Sequence, residues 1–328
     1  MPKKIVCFYA RQDTHEAIQY TDFYVQDINA LKELGFEVRI AIRPWEMCAA
    51  DLYFVWWWSH ACFPVTLAKA LGKPAIITGT FNCRLYPDKP LWQRALIEYS
   101  LGQAACNINV SMMEYEQLRV EFPKAKWTYS PHCVDTSELR PGRDDREDFA
   151  CTIAEMTLGN AERKCIPELI RAIPLAAKEI PEIRFILAGR IDESLLRLAR
   201  EVGADKFAAF PGVVTKEEKI RLLQRCKVFL QPTRFEGFGL SILEAMSCGA
   251  PVVTSPAGAV PEVVGEGAEF VDGTSPEQIA AAIVRLWRDS ARRSALSLAG
   301  RERALKLFDH SRRKKDIKRC VESAMGRE

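Results

Sequence analysis

The sequence predicts an α/β chain of two doubly wound domains, each a parallel sheet covered by helices on both faces. Three observations carry that reading. Short β-branched or aromatic runs alternate with amphipathic helical stretches along most of the chain. Polar text between Pro131 and Asp148 interrupts the alternation, which then restarts. The length of 328 residues also suits two cores better than one.

The first strand is Ile5 to Tyr9, and a helix follows from Phe23 to Leu34, stopped by Gly35. Phe36 to Ala41 alternates as a strand, and Leu52 to Trp58 reads as a buried one. Pro64 to Leu71 is a helix stopped by Gly72, Ala75 to Thr78 a strand, and Leu91 to Leu101 a helix. The strand Ala105 to Val110 and the helix Met112 to Glu121 complete a first domain over residues 1–130. A linker is expected over 131–148, rich in turn residues and charge.

The second domain, residues 149–308, opens with the strand Phe149 to Ala154 and the helix Ile166 to Glu179. Strand Arg184 to Ala188, helix Ser194 to Val202, strand Phe207 to Phe210 and helix Lys216 to Arg225 follow. Val228 to Leu230 and Pro251 to Thr254 are strands around the helix Leu240 to Ser247, and Pro276 to Arg288 is a further helix. Residues 309–328 read as a basic helix crossing back to the first domain. In such sheets ligands sit at the carboxyl ends of the strands, so the expected site is a cleft that the two domains face.

Composition excludes several classes. An apolar fraction of 48% and a charged fraction of 27% are ordinary for a soluble globular protein. The net charge of +3 does not point to nucleic acid. Nine Lys/Arg against three Asp/Glu crowd residues 301–319, which fits either a solvated helix face or contact with phospholipid head groups. Eleven cysteines without a CxxC pair read as buried thiols in a reducing compartment. With four histidines they offer no metal set. The opening "MPKKIVCFYA" is a strand and not a signal peptide, and Leu52 to Trp58 falls short of the roughly 20 residues of a membrane helix. The expected location is cytoplasmic, with peripheral contact at the inner membrane face through the basic tail.

The chemistry concentrates in "RFEGFGLSILEAMSCGAPVV", Arg234 to Val253. A strand runs into a loop, and Gly237 and Gly239 flank Phe238 where a helix begins at Leu240. Glycine lets a ligand approach the backbone, and the first helical amides have no acceptor within the helix. The helix dipole adds about half a positive charge, which makes an anion site suited to a diphosphate. Glu236 and Glu244 do not serve the anion, because carboxylates repel it. They suit hydroxyl groups on either side, a sugar at Glu236 and a ribose at Glu244. The absence of a glycine at position 242 disfavours a dinucleotide fingerprint.

The segment "PTRFEGFGLSILEAMSCGAPVVTSPAGAVPEVVG" resembles the donor-site signature of the GT-B retaining glycosyltransferases of family 4, whose hallmark is two glutamates separated by seven residues. The likeness extends to "RFILAGR", "FPGVVTKEEKIRLLQRCKVFLQPT" and "SPHCVD", and so over most of residues 128–290. It implies that Glu236 holds donor-sugar hydroxyls, that Phe238, Gly239 and Leu240 amides hold the diphosphate, and that Glu244 holds the ribose. Lys164, with Arg163, then neutralises the leaving diphosphate. The implied co-substrate is a nucleotide-diphosphate sugar and the acceptor a hydroxyl on a glycan, a lipid-linked compound or a small molecule, with no cofactor or metal. The chain departs from the pattern in three places. Ala154-Glu155 stands where the family has Gly-Arg, residues 10–23 lack the Gly-Gly loop, and Thr80 stands where a histidine is usual.

Other residues have two readings each. His60 either orients or deprotonates an acceptor hydroxyl or caps the next helix. Trp56, Trp57 and Trp58 either stack on a sugar or pack the core. Asp13 and His15, in the loop that replaces the glycines, either face the cleft or are ordinary loop residues. His132 shapes the hinge, and Asp135 braces the linker. Ser241 and Cys248 lack a paired base, which argues against covalent catalysis. A sugar-nucleotide-binding partner without activity is the alternative function, and an epimerase the weaker one.

Overall fold

The computed structural model describes residues 3–142 and 146–326, so residues 143–145 of the expected linker lie outside the described residues. The chain forms two compact units, Met1–Cys133 with His310–Glu328, and Val134–Asp309.

In the first unit the order is β1 (Ile5–Tyr9), α1 (His15–Gln19), α2 (Asp22–Glu33), β2 (Glu37–Ala41), β3 (Leu52–Trp56), α3 (Cys62–Ala70) and β4 (Ala75–Gly79). Then come α4 (Leu91–Gln103), β5 (Cys106–Asn109), α5 (Met112–Glu121) and β6 (Trp127–Tyr129). All six strands are parallel in the order β2-β1-β3-β4-β5-β6. Residues alternate between two cores. Phe8, Phe54 and Ile76 pack with α2 on one face, and Tyr9, Val55 and Ile77 with α3 and α4 on the other. Burial on both faces explains why these strands are near-continuous apolar runs.

The strand expected over Leu52 to Trp58 stops at Trp56. Trp57 turns out at φ +75° and residues 58–60 form one 3-10 turn. The turn lets both indoles find partners: Trp57 Nε1 donates to Tyr24 Oη at 2.8 Å and Trp58 Nε1 to Asn107 Oδ1 at 3.0 Å. Trp58 is buried, where an indole without an acceptor is costly, and the turn is what brings it to Asn107.

The second unit contains β7 (Glu147–Ile153), α6 (Leu158–Arg163), α7 (Ile166–Glu179), β8 (Arg184–Ala188), α8 (Glu193–Glu201), β9 (Ala208–Gly212) and α9 (Lys216–Arg225). It continues with β10 (Cys226–Gln231), α10 (Leu240–Ser247), β11 (Val252–Thr254), α11 (Val260–Val264), β12 (Ala268–Phe270), α12 (Pro276–Arg288) and α13 (Ser290–Leu307). The strands are parallel in the order β12-β11-β10-β7-β8-β9. β7 begins at Glu147, inside the expected linker, because Glu147 already pairs with Cys226 of β10. Asp135 does brace its surroundings, its Oδ1 accepting from the Ser137 and Glu138 amides at 2.9 and 3.2 Å.

The last helix, α14 (His310–Ala324), belongs to the first unit. Its buried residues, Arg313, Asp316, Ile317, Cys320 and Val321, follow helical spacing and face α2. Arg313 is fully buried and grips Asp27 with two bonds of 2.9 and 2.8 Å, while also donating to Ser130 O at 2.6 Å and Thr78 Oγ1 at 2.9 Å. Of the basic cluster at 301–319, Arg301, Arg303, Arg313, Lys314 and Arg319 bind groups of this chain. No helix among the described residues is long and apolar enough to cross a membrane. The cysteines of the described residues are all free thiols, nine of the eleven buried.

Candidate active site

The second sheet reverses its winding between β7 and β10, and such a reversal opens a crevice at the carboxyl ends of the two strands. Gln231 ends β10, and the loop Pro232 to Gly239 leads into α10. Gly239 is the N-cap of α10 at φ +94°, a backbone conformation that costs glycine little, and no side chain caps the helix. At the far end Gly249, at φ +68°, closes the helix: Ala250 N donates to Ala245 O at 2.8 Å and Gly249 N to Met246 O at 2.9 Å. The rigid helix holds its first turn and Glu244 in place from both ends.

Glu236 is 7% exposed and carries a set of donors. Lys164 Nζ lies 2.9 Å from Oε1, Arg163 Nη1 2.9 Å from Oε2, and Gln231 Nε2 3.0 Å from Oε1. Burial pushes the carboxyl's pKa up, but Lys164 and Arg163 outweigh it and hold Glu236 below the ordinary glutamate value. Its backbone is held as well. Ala259 N donates to Glu236 O at 2.9 Å, and Gly258, at φ +61°, packs so closely that a Cβ there would lie 2.2 Å from that oxygen.

Lys164 and Arg163 come from α6 and the junction that follows it. Lys164 caps the end of α6, and Cys165 then takes φ +48° to start α7. A left-handed conformation is unfavourable for a non-glycine residue, and here it turns Lys164 toward Glu236. Arg163 also donates to Phe235 O at 2.8 Å, and Arg163 O accepts from Arg234 N at 2.7 Å, so α6 and the glutamate loop are tied together. Glu244, 5% exposed, receives Lys219 Nζ of α9 at 2.7 Å. The geometry thus assembles Lys164, Arg163, Gly237, Phe238, Gly239, Leu240 and Glu236 at one end of the sheet, with Glu244 on the same helix. Gln231 and Lys219, and the contact that Gly258 makes, are what sequence reasoning missed.

His60 lies in the first unit, half-buried after the 3-10 turn. It does not cap α3, whose N-cap is Ala61 without a side-chain bond. Burial, then the nearby Arg11 and Lys89, lower its pKa, so the imidazole is neutral at pH 7. His15 is tied to Glu46 at 3.1 Å. Trp56 and Trp58 are core residues, 0% and 3% exposed, and His132 is buried with its ring stacked on Trp56 at 5.7 Å.

Residues 156–303 match the family model of the glycosyl transferases group 1. The second unit carries a group 1 glycosyl transferase domain. A GDP-mannose-dependent alpha-(1-6)-phosphatidylinositol monomannoside mannosyltransferase of Mycolicibacterium smegmatis is 31% identical over 203 residues, which are 56% of this chain and 53% of that protein. The chain spans about half or less of the length of the first curated relatives it matches. Among solved structures, sucrose-phosphate synthase from Thermosynechococcus elongatus superposes with a TM-score of 0.82 at 17% identity, covering 99% of this chain and 100% of that one. Anabaena HepE in complex with UDP and glucose gives 0.77 at 15%, covering 98% and 100%. These likenesses establish the GT-B fold for the two-sheet chain.

Proposed function

We propose that the chain moves a glycosyl group from a nucleotide-diphosphate sugar to a hydroxyl acceptor, with retention at the anomeric carbon. The observation that carries the reading is the contact of Lys164 with Glu236 at the switch point of the second sheet, beside the first turn of α10. In this reading the amides of Phe238, Gly239 and Leu240, where the loop enters α10, hold the diphosphate, and Gly237 keeps the approach clear. Lys164 offsets the charge that grows on the departing oxygen, the largest electrostatic contribution such a site can make. Arg163 holds the loop and the glutamate.

Glu236 accepts from three donors already, and an ionised carboxylate has about four lone-pair sites, so it can still receive a sugar hydroxyl. Glu244, steadied by Lys219, accepts from the ribose. The acceptor oxygen bonds to the anomeric carbon on the face from which the diphosphate leaves, and its proton passes to the leaving phosphate oxygen. His60, neutral, orients the acceptor hydroxyl. No step is routed through a metal or cofactor. Arg312, Arg313, Lys314, Lys318 and Arg319 of α14 all pair with carboxylates of this chain, so the tail's role is structural.

GDP-mannose is the first donor to try, because the mycobacterial relative is named as dependent on it, and UDP-glucose the second. A thermal-shift panel of GDP-mannose, UDP-glucose and ADP-glucose tests the reading. A ligand at 100 times its Kd adds roughly 2.7 kcal/mol to the folded state. One of the three is expected to raise Tm, and Lys164→Ala to abolish most of the rise. A panel with no shift, or a shift untouched in both Lys164→Ala and Glu236→Ala, sinks the proposal.

A further inference from the structure

The helix α14 meets the first sheet through sulfur as well as through the Asp27–Arg313 pair. Cys106 of β5 and Cys320 of α14 stand 214 positions apart in the chain, yet their Sγ atoms lie 3.4 Å from each other. Both thiols are buried, in the same apolar core as Ile76, Ile108, Ile317 and Val321. Thr128 Oγ1 of β6 lies 3.3 Å from Cys106 Sγ on its other side. A disulfide brings its sulfur atoms to about 2.05 Å, so the bond needs a further approach of about 1.4 Å, within reach of side-chain rotation.

The two thiols are unlike. The hydrogen bond from Cys106, helped by Arg313, holds Cys320 below the ordinary cysteine value against the effect of burial. That same bond and burial push Cys106 well above it. Cys320 is therefore the sulfur that meets an oxidant as thiolate. It sits four residues before the end of α14 at Ala324, and helix ends open locally, which admits a molecule as small as hydrogen peroxide.

We propose that Cys106 and Cys320 form a peroxide-responsive dithiol whose oxidation fastens α14 covalently to the first sheet. The Cys320 thiolate bonds to one oxygen of hydrogen peroxide, the O–O bond breaks, and the other oxygen leaves as hydroxide and takes up a proton. Cys106 sulfur then bonds to the sulfenic sulfur of Cys320, and its proton leaves with the sulfenic oxygen as water. Two thiols and one peroxide thus give one disulfide and two waters, the sulfurs supplying both electrons. The bond closes a loop that contains the whole Val134–Asp309 unit, and a constraint over so long a loop acts strongly on the unfolded chain. The proposal concerns the first unit and stands apart from the glycosyl-transfer reading.

The test treats the full chain with hydrogen peroxide, blocks the remaining thiols and maps the disulfides by mass spectrometry without reduction. A peptide pair joining Cys106 to Cys320 is expected, lighter than the two reduced peptides by two hydrogens and released by dithiothreitol. Tm should rise by roughly 5 °C or more and fall back on reduction. Cys320→Ser should remove both the joined peptides and the rise, and Cys106→Ala should leave a sulfenic acid at Cys320 that dimedone traps. Cys7 is hydrogen-bonded to Cys48 and makes the competing pair, so Cys7→Ser should keep both signals. A map of the unaltered chain that joins only other cysteines, or none, overturns the proposal without recourse to a variant. A rise in Tm that persists in Cys320→Ser, or joined peptides without any rise, overturns the fastening.

Discussion

Each sheet reverses its strand order once, between β1 and β3 in the first unit and between β7 and β10 in the second. The two reversal points are furnished differently. At the second, charges are already matched: Lys164 and Arg163 meet Glu236, Lys219 meets Glu244, and glycines crowd the backbone of the glutamate loop. At the first, Arg11, Arg43, His60 and an exposed Trp45 line an open cavity. One backbone arrangement thus offers a crevice at a predictable place, and the side chains after the strands decide its chemistry.

The units also differ in how they are held together, and this gives the largest expected effect. Arg313→Ala leaves the Asp27 carboxylate buried without its partner, which should cost about 3–5 kcal/mol in chemical denaturation. Hydrogen exchange should quicken across the first sheet and leave β7 and β10 protected. The double variant Asp27→Leu/Arg313→Met should recover most of the loss. A single-variant cost below about 1 kcal/mol would show that the pair is not what holds α14.

Next in size, Lys164→Ala or Glu236→Ala should lower turnover at least about a hundredfold with the preferred donor. Unaltered kcat in both would reassign the second reversal point. A smaller effect is expected from Gly258→Ala, whose Cβ would collide with Glu236 O. It should cost about 1–3 kcal/mol and shift KM for the donor, because the displaced group is the backbone under the glutamate. Full donor affinity in that variant would detach Gly258 from the site.

The smallest effect concerns pH. His132 is held neutral in the fold by burial and then by Arg313, so its folded pKa lies well below the ordinary histidine value. The unfolded chain takes up that proton near pH 6.5, and stability is lost as pH falls below it. Between pH 7 and pH 5.5 the loss should be about 1 kcal/mol, and His132→Phe should flatten that slope. Glu236 acts later in the same direction: its stabilisation is complete above the ordinary glutamate pKa and is lost as pH falls through its depressed folded value.

Legibility followed the same division. The second unit could be read because its signals are local: the glycines at 237 and 239 and the two glutamates all sit within one short segment. Gln231 escaped notice because a glutamine in a strand carries no pattern of its own; only the fold brings Nε2 to Glu236. Gly258 was seen as part of a motif, but its contact lies 22 residues away in sequence. The helix α6 was passed over since Leu158–Arg163 shows no apolar period, although it delivers both cations. In the first unit the turn at Trp57 contradicts the apolar run, because bonds to Tyr24 and Asn107 act at long range. Edge strands β6 and β12 are three residues each, too short for alternation to register.

The returning helix has a consequence for how the protein is made. Asp27 and Arg313 are 286 positions apart, and translation at about 5–20 residues per second separates their emergence from the ribosome by roughly 15–60 s. During that interval α2 lacks the helix that covers it, while the continuous Val134–Asp309 segment can collapse as soon as it emerges. The nascent chain should therefore complete its later portion before its earlier one, and the exposed side of α2 is where a chaperone would be needed.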